Sequence, residues 1–190
     1  MVRFRAMNPF HFVPEWRIPV PGLDDYAQSL ESVWQALKLV DGHTDLPMLH
    51  TPPVKRPPDQ ERGPGYDYAA SVFRFGDHML DLVTARYLIY LPTYLYLLDR
   101  LVPESVVEEI LGTLAGGGGV VFYDWDANHD IEDTNGSFSH SAILSSWFGG
   151  TLHPDILDRR ERWLARHQDR WRPEMVTALP LARYQQSHGL

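Results

Sequence analysis

Apolar residues recur at helical spacing from Asp24–Asp25 to about Val40. At about 100° per residue, Tyr26, Leu30, Val33, Trp34 and Leu37 share one face, and Asp41-Gly42 ends the run. The segment before it carries Pro9, Pro14, Pro19 and Pro21, which predicts short extended pieces or an edge hairpin rather than a helix. After it, residues 43–68 hold Pro47, Pro52, Pro53, Pro57, Pro58 and Pro64, and read as a long loop that could serve as a lid. "SVFRFG" predicts a strand or short turn, followed by one or two helices from Asp77 to Leu101 with a kink at Pro92. A further helix follows Pro103 and ends in the glycine run 116–119. "VVFYDW" (120–125) predicts a buried strand that opens into the acidic segment "DWDANHDIED". Two more helices are expected in "SFSHSAILSSWFGG" and "HPDILDRRERWLARHQDRW", the second with many i,i+4 charge pairs. The fold class expected is α+β, a single helix-rich domain over residues 1–190 with a few short strands.

Composition narrows the function classes. Among 190 residues there is no cysteine, which excludes thiol nucleophiles, thiolate metal sites and disulfides. The net charge of −8, without a Lys/Arg run, disfavours long nucleic acid as a partner. "YLIYLPTYLYLL" is about 12 residues long, short of the roughly 20 that cross a bilayer, so no membrane partner is expected. "MVRFRAMNPFHFVPEW" lacks a continuous apolar core of the signal-peptide kind, and the expected location is the cytoplasm. No Gly-x-Gly-x-x-Gly after a strand, Walker loop, Gly-x-Ser-x-Gly elbow or His-Glu-x-x-His helix occurs. Tyr87, Tyr90, Tyr94 and Tyr96 read as core packing rather than a cofactor box. The nine histidines are scattered, and neither metal nor cofactor is expected.

Two constellations carry chemistry. Glu31, Gln35 and Lys38 fall in one stripe beside Trp34. Such a stripe is either the polar flank of an ordinary helix or an acid, amide and amine set in a pocket. Ala36 and Leu39 on the opposite side leave no clean solvent face, which weakens the flank reading, but the wheel alone does not decide between the two. The second constellation is Asp124, Asp126, Asn128, Asp130, Glu132 and Asp133. A calcium loop of EF-hand type needs Gly at its sixth position and Glu at its twelfth. Counted from Asp124, those places hold His129 and Asn135. What remains is a solvated turn, or a strand-end site whose acids hold hydroxyls or activate water, with His140 close enough to bond one of them.

"YAQSLESVWQALKLV" resembles the N-terminal signature of the NADAR/YbiA-like N-glycosidases, Tyr-x-Ser-x-Glu-x-aromatic-aromatic-Gln-Ala-x-Lys. Tyr26, Glu31, Trp34, Gln35, Ala36 and Lys38 match it in type, while Ser29 is offset. The family's distal Asp-x-x-Trp-Gly is not reproduced: "SSWFGG" has Leu144 where that Asp belongs, before Trp147. The resemblance implies hydrolysis of an N-glycosidic bond to ribose in a phosphoribosyl or ADP-ribosyl compound. It implies that Glu31 binds ribose or acts as acid/base, and that Lys38 attacks or polarises the anomeric carbon, through an imine with the opened sugar. Asp124 and Asp126 would then replace the missing acid, with Trp34, Gln35, Asn128, Asp130, His140 and Trp147 binding substrate. The expected partner is a small-molecule nucleotide or an ADP-ribosylated base. The alternatives are a nucleotide-sugar-binding protein that has lost the reaction, or a glycosidase acting on a modified nucleoside or nucleic-acid base.

Overall fold

The computed structural model describes residues 4–56 and 67–190. The chain is α+β, with two small antiparallel sheets whose Ile18, Ala27, Phe73 and Leu80 join the helices in one hydrophobic core. Strand β1 (Ile18–Pro19) pairs with β2 (Tyr26–Ala27), and helix α1 (Leu30–Leu37) follows at once. The helix therefore starts later than its apolar spacing suggests. Tyr26 and Ala27 are held extended by β1, and the Ser29 hydroxyl caps the first turn by accepting from the Ser32 N–H at 3.0 Å. The cap also shares a 2.6 Å bond with the Ser32 hydroxyl and is fully buried. Ser29→Ala is expected to cost about 1–2 kcal/mol of folding stability, read as a lowered urea midpoint.

The helix also ends earlier. Lys38 is already extended (ψ 133°) and bridges Phe73 of strand β3 (Val72–Phe75), while the Leu39 N–H donates to the Val72 carbonyl. Sheet-type bonds thus replace the last helical turn. Strand β4 (His78–Asp81) pairs with β3 through a tight turn at Gly76, where a helix was expected from Asp77. Gly22, in the β1–β2 turn, lies against that second turn at φ 80°, and a Cβ there would sit 2.4 Å from the Gly76 nitrogen.

The Asp81 carboxylate caps α2 (Leu82–Ala85) through the Val83 and Thr84 N–H groups. From there the chain stays helical to Leu101, with wide π turns at Arg86–Tyr90 and Leu97–Leu101 around α3 (Leu91–Tyr96). Pro92 explains the first of these. It cannot donate to the Leu88 carbonyl, and the wider turn before it takes the Leu91 N–H back to the Arg86 carbonyl instead. This segment is buried nearly throughout, and the Tyr94 hydroxyl donates to the Met7 carbonyl at 2.6 Å, tying the N-terminal segment to it. None of the helices among the described residues is long and apolar enough to cross a membrane.

Helix α4 (Glu104–Ala115), α5 (His140–Phe148) and α6 (Asp158–Arg166, entered through a π turn at His153–Leu157) lie where periodicity places them. A short α7 (Ala182–His188) was not anticipated. "VVFYDW" is not a strand. Its residues alternate as a strand's would, but no neighbouring strand pairs with them. Phe122 turns inward and stacks on Phe148 at 5.4 Å, whereas Val121, Tyr123 and Trp125 are 91%, 76% and 91% exposed. Of the proline-rich loop, Leu46–His50 forms a 3-10 turn. The lid expectation, over residues 43–68, falls in part on residues 57–66, which lie outside the described residues.

Candidate functional site

A cavity of about 510 Å³ lies between α1, the first π turn and the 124–140 segment, a size in the range of small-molecule sites. It is lined from α1 by Glu31, Trp34 and Gln35, and from the acidic side by Asp124, Asp126 and His140. The two constellations that the sequence keeps ninety residues apart therefore share one space.

On the α1 side the helix has no solvent face: every residue from Ser29 to Lys38 is buried. A polar stripe on such a helix must find partners or line a cavity. Gln35 Nε2 donates to Glu31 Oε1 at 2.8 Å, and Gln35 Oε1 accepts from the Arg56 N–H at 3.1 Å. Arg56 also donates to the Gln35, Lys38 and His43 carbonyls, closing the C-terminal end of α1. Trp34 packs on Phe73 with centroids 3.9 Å apart and meets Tyr90 edge-on at 5.3 Å, giving the cavity an aromatic wall. The Tyr90 hydroxyl is pushed well above its ordinary pKa by burial and then by neighbouring Tyr94, Glu31 and Asp124, so it stays a neutral donor.

On the acidic side Asp124 takes four donors. Its Oδ1 accepts from the Trp125 N–H at 2.7 Å. Its Oδ2 accepts from the Ser139 hydroxyl at 2.8 Å and from the His140 N–H at 3.1 Å, and lies 2.7 Å from His140 Nδ1. Burial raises its pKa, but the hydrogen bond and charge of His140, with Ser139 and the Trp125 N–H, outweigh burial and hold the carboxyl well below the usual range. The carboxylate also sits at the N-terminus of α5, where the helix dipole favours a negative charge. His140 Nε2 has no hydrogen-bond partner among the described residues, and the ring lines the cavity. Because the folded carboxyl is depressed, its contribution to stability is complete above the unfolded value of about 3.9 and is lost as pH falls through the folded value. Asp124→Asn should therefore lower the urea midpoint clearly at pH 7 and much less near pH 2.

Arg86 holds this side in place. It is 1% exposed, and its guanidinium donates to the carbonyls of Ile131 (2.9 Å), Asp133 (2.6 Å) and Gly136 (2.6 Å). Burial lowers its pKa while Tyr68, Asp133 and Asp130 oppose that shift, and an arginine so placed keeps its charge. Glu132 accepts from the Tyr87 hydroxyl at 2.9 Å, a second tie between the acidic segment and the buried helix.

Of the other residues singled out in the sequence, four stand elsewhere. Lys38 does not line the cavity. The helix has ended there, the side chain is 1% exposed, and Nζ lies 5.6 Å from the Tyr68 ring, which does line it. Asn128 is used in its own loop, accepting from the Asp130 N–H and donating to the Asp133 carbonyl. Asp130 pairs with Arg159 on α6, at the surface. Trp147 is 1% exposed at the far end of α5, packed against Phe148, Tyr184 and His188, and Leu144 is core. Conversely, Arg86, Tyr90, Tyr68, Asn8, Lys55 and Trp125 line the cavity without having been anticipated. Only Arg86 left a signal, as a charge inside an otherwise apolar helix.

A family model matches residues 2–144, and the chain belongs to that family, a family of unknown function (DUF6939). No curated protein and no solved structure matches the chain.

Proposed function

We propose that this DUF6939 protein is an N-glycoside hydrolase of a nucleotide-type substrate, a phosphoribosyl or ADP-ribosyl N-glycoside, acting with a YbiA-like division of labour in the cytoplasm. The observation that carries the reading is the convergence of Glu31 and Gln35 with Asp124, Asp126 and His140 on one aromatic-walled cavity. Cleavage of such a bond passes through an oxocarbenium-like state. The C1–N pair leaves with the base, which takes a proton. Water then forms the C1–O bond and gives up a proton. Glu31 and Asp126 supply negative charge next to the cation, and His140 exchanges the proton. Asp124 orients His140 rather than reacting, since four donors occupy its oxygens. Trp34 and Tyr90 receive the base and Lys55 the phosphate. Lys38, whose Nζ lies 5.6 Å from the lining Tyr68 ring but which does not itself line the cavity, is given no covalent part in this scheme.

A second reading, a nucleotide-sugar-binding protein without turnover, is favoured by Leu144, which stands where the family resemblance places a distal acid. One experiment separates the two. The protein is incubated with ADP-ribosylated nucleobases, riboflavin-pathway ribosylamines and NAD, and the mixtures are analysed by mass spectrometry for the freed base or amine and its sugar product, ADP-ribose or ribose phosphate. Release supports the hydrolase; a ligand-induced rise in Tm without release supports the binding protein. Neither release nor a shift with any compound would remove the nucleotide-sugar reading.

A further inference from the structure

We infer that His140 presents Nε2 to the cavity as its proton-accepting atom, and that Ser139, Ser141 and His129 are positioning residues that act on it through Asp124. The contacts form an unbroken series. His129 Nε2 lies 3.2 Å from Ser141 Oγ, which lies 2.7 Å from Ser139 Oγ. Ser139 Oγ donates to Asp124 Oδ2 at 2.8 Å, and the same oxygen lies 2.7 Å from His140 Nδ1. His129 is exposed, the two serines are 0% and 2% exposed, and His140 lines the cavity. The series thus runs from the surface to the site.

Its direction follows from the inventory of hydrogens. An ionised carboxylate only accepts, so the single hydroxyl hydrogen of Ser139 goes to Asp124. Ser139 must then accept from Ser141. Ser141, its own hydrogen spent, must accept from an Nε2–H on His129. At the other end His140 Nδ1 must carry a hydrogen for Asp124, which leaves the lone pair of the neutral ring on Nε2. The charge of one carboxylate fixes the orientation of four neighbouring groups.

With that orientation, a proton from a group bound in the cavity passes to His140 Nε2. The imidazolium so formed keeps its Nδ1–H on Asp124, the stabilising arrangement of an acid-oriented histidine base. The inference rests on the hydrolase reading only for which proton moves, there that of the attacking water. The tautomer itself is a property of the ligand-free protein and can be measured without any substrate.

The test is a long-range ¹H–¹⁵N correlation spectrum of the uniformly ¹⁵N-labelled full chain, recorded above the histidine titration range. Signals of His140 are identified by their loss in His140→Gln. The expected result is a protonated Nδ1 and an unprotonated Nε2. Ser139 also caps α5 through the Ser141 N–H, so the informative variants are further along the series. His129→Leu and Ser141→Ala should each shift the His140 tautomer ratio roughly 2- to 10-fold, the range of one hydrogen bond. His129→Gln, which restores an N–H donor, should return it toward wild type. A wild-type ring protonated on Nε2 overturns the assignment. A His140 spectrum unchanged in both His129→Leu and Ser141→Ala, with circular dichroism intact, overturns the positioning series.

Discussion

Replacing Arg86 with methionine should lower folding stability by about 3–5 kcal/mol, the largest loss expected from a single change near the cavity. The side chain keeps most of its buried volume in that substitution, so little of the loss is a void. Three carbonyls of the 131–136 loop lose their donor, and each buried acceptor left alone costs about 1–3 kcal/mol. Removing the arginine also removes the cost of keeping its own charge out of water, which holds the net below the simple sum. Arg86→Lys restores a charge but cannot span three acceptors in a planar fork, and should recover only part of the loss. Urea titration measures both. A change below about 1 kcal/mol for Arg86→Met would mean that the loop is held by other contacts.

The second large effect is on the reaction. His140→Gln should reduce turnover by roughly 10²- to 10⁴-fold, the usual weight of a positioned proton-transfer group, with near-unchanged far-UV circular dichroism. Because the group acts in the transition state, kcat and kcat/KM should fall together, with KM little altered. A raised KM at constant kcat would instead make His140 a binding contact. Steady-state kinetics on whichever compound is turned over in the mass-spectrometric screen decides between them.

The parts of the site that were legible in the sequence are those where one element carries its own logic. Glu31, Trp34 and Gln35 occupy one side of a helix with apolar residues all round, and such a helix is buried, so its polar residues had to line something. The acidic segment was open between a solvated turn and a site in the sequence; Asp124, Asp126 and His140 line the cavity, while Asn128 and Asp130 serve the turn. The wheel put Lys38 on the helix because it assumes that the helix continues, whereas α1 ends at Leu37 and Lys38 bridges β3. Tyr26 was assigned to the helix for the same reason, although it belongs to β2. "VVFYDW" has the period of a strand but no partner, and pairing is a tertiary fact that periodicity does not contain. The role of Arg86 could not be read locally, since its three acceptors lie 45, 47 and 50 residues away. Asp130 and Asn128 have the residue types of a ligand site but spend them on Arg159 and on their own turn.

That two distant segments act on one ligand can be tested through their coupling. Release of the sugar product, ribose phosphate or ADP-ribose according to the substrate, is measured for wild type, Glu31→Gln, His140→Gln and the double variant under identical conditions. If the two side chains serve one transition state, each single change slows release at least about 100-fold and the double variant is scarcely slower than the worse single one, as for residues that act as a unit. Release that continues at the wild-type rate in both single variants would contradict the account.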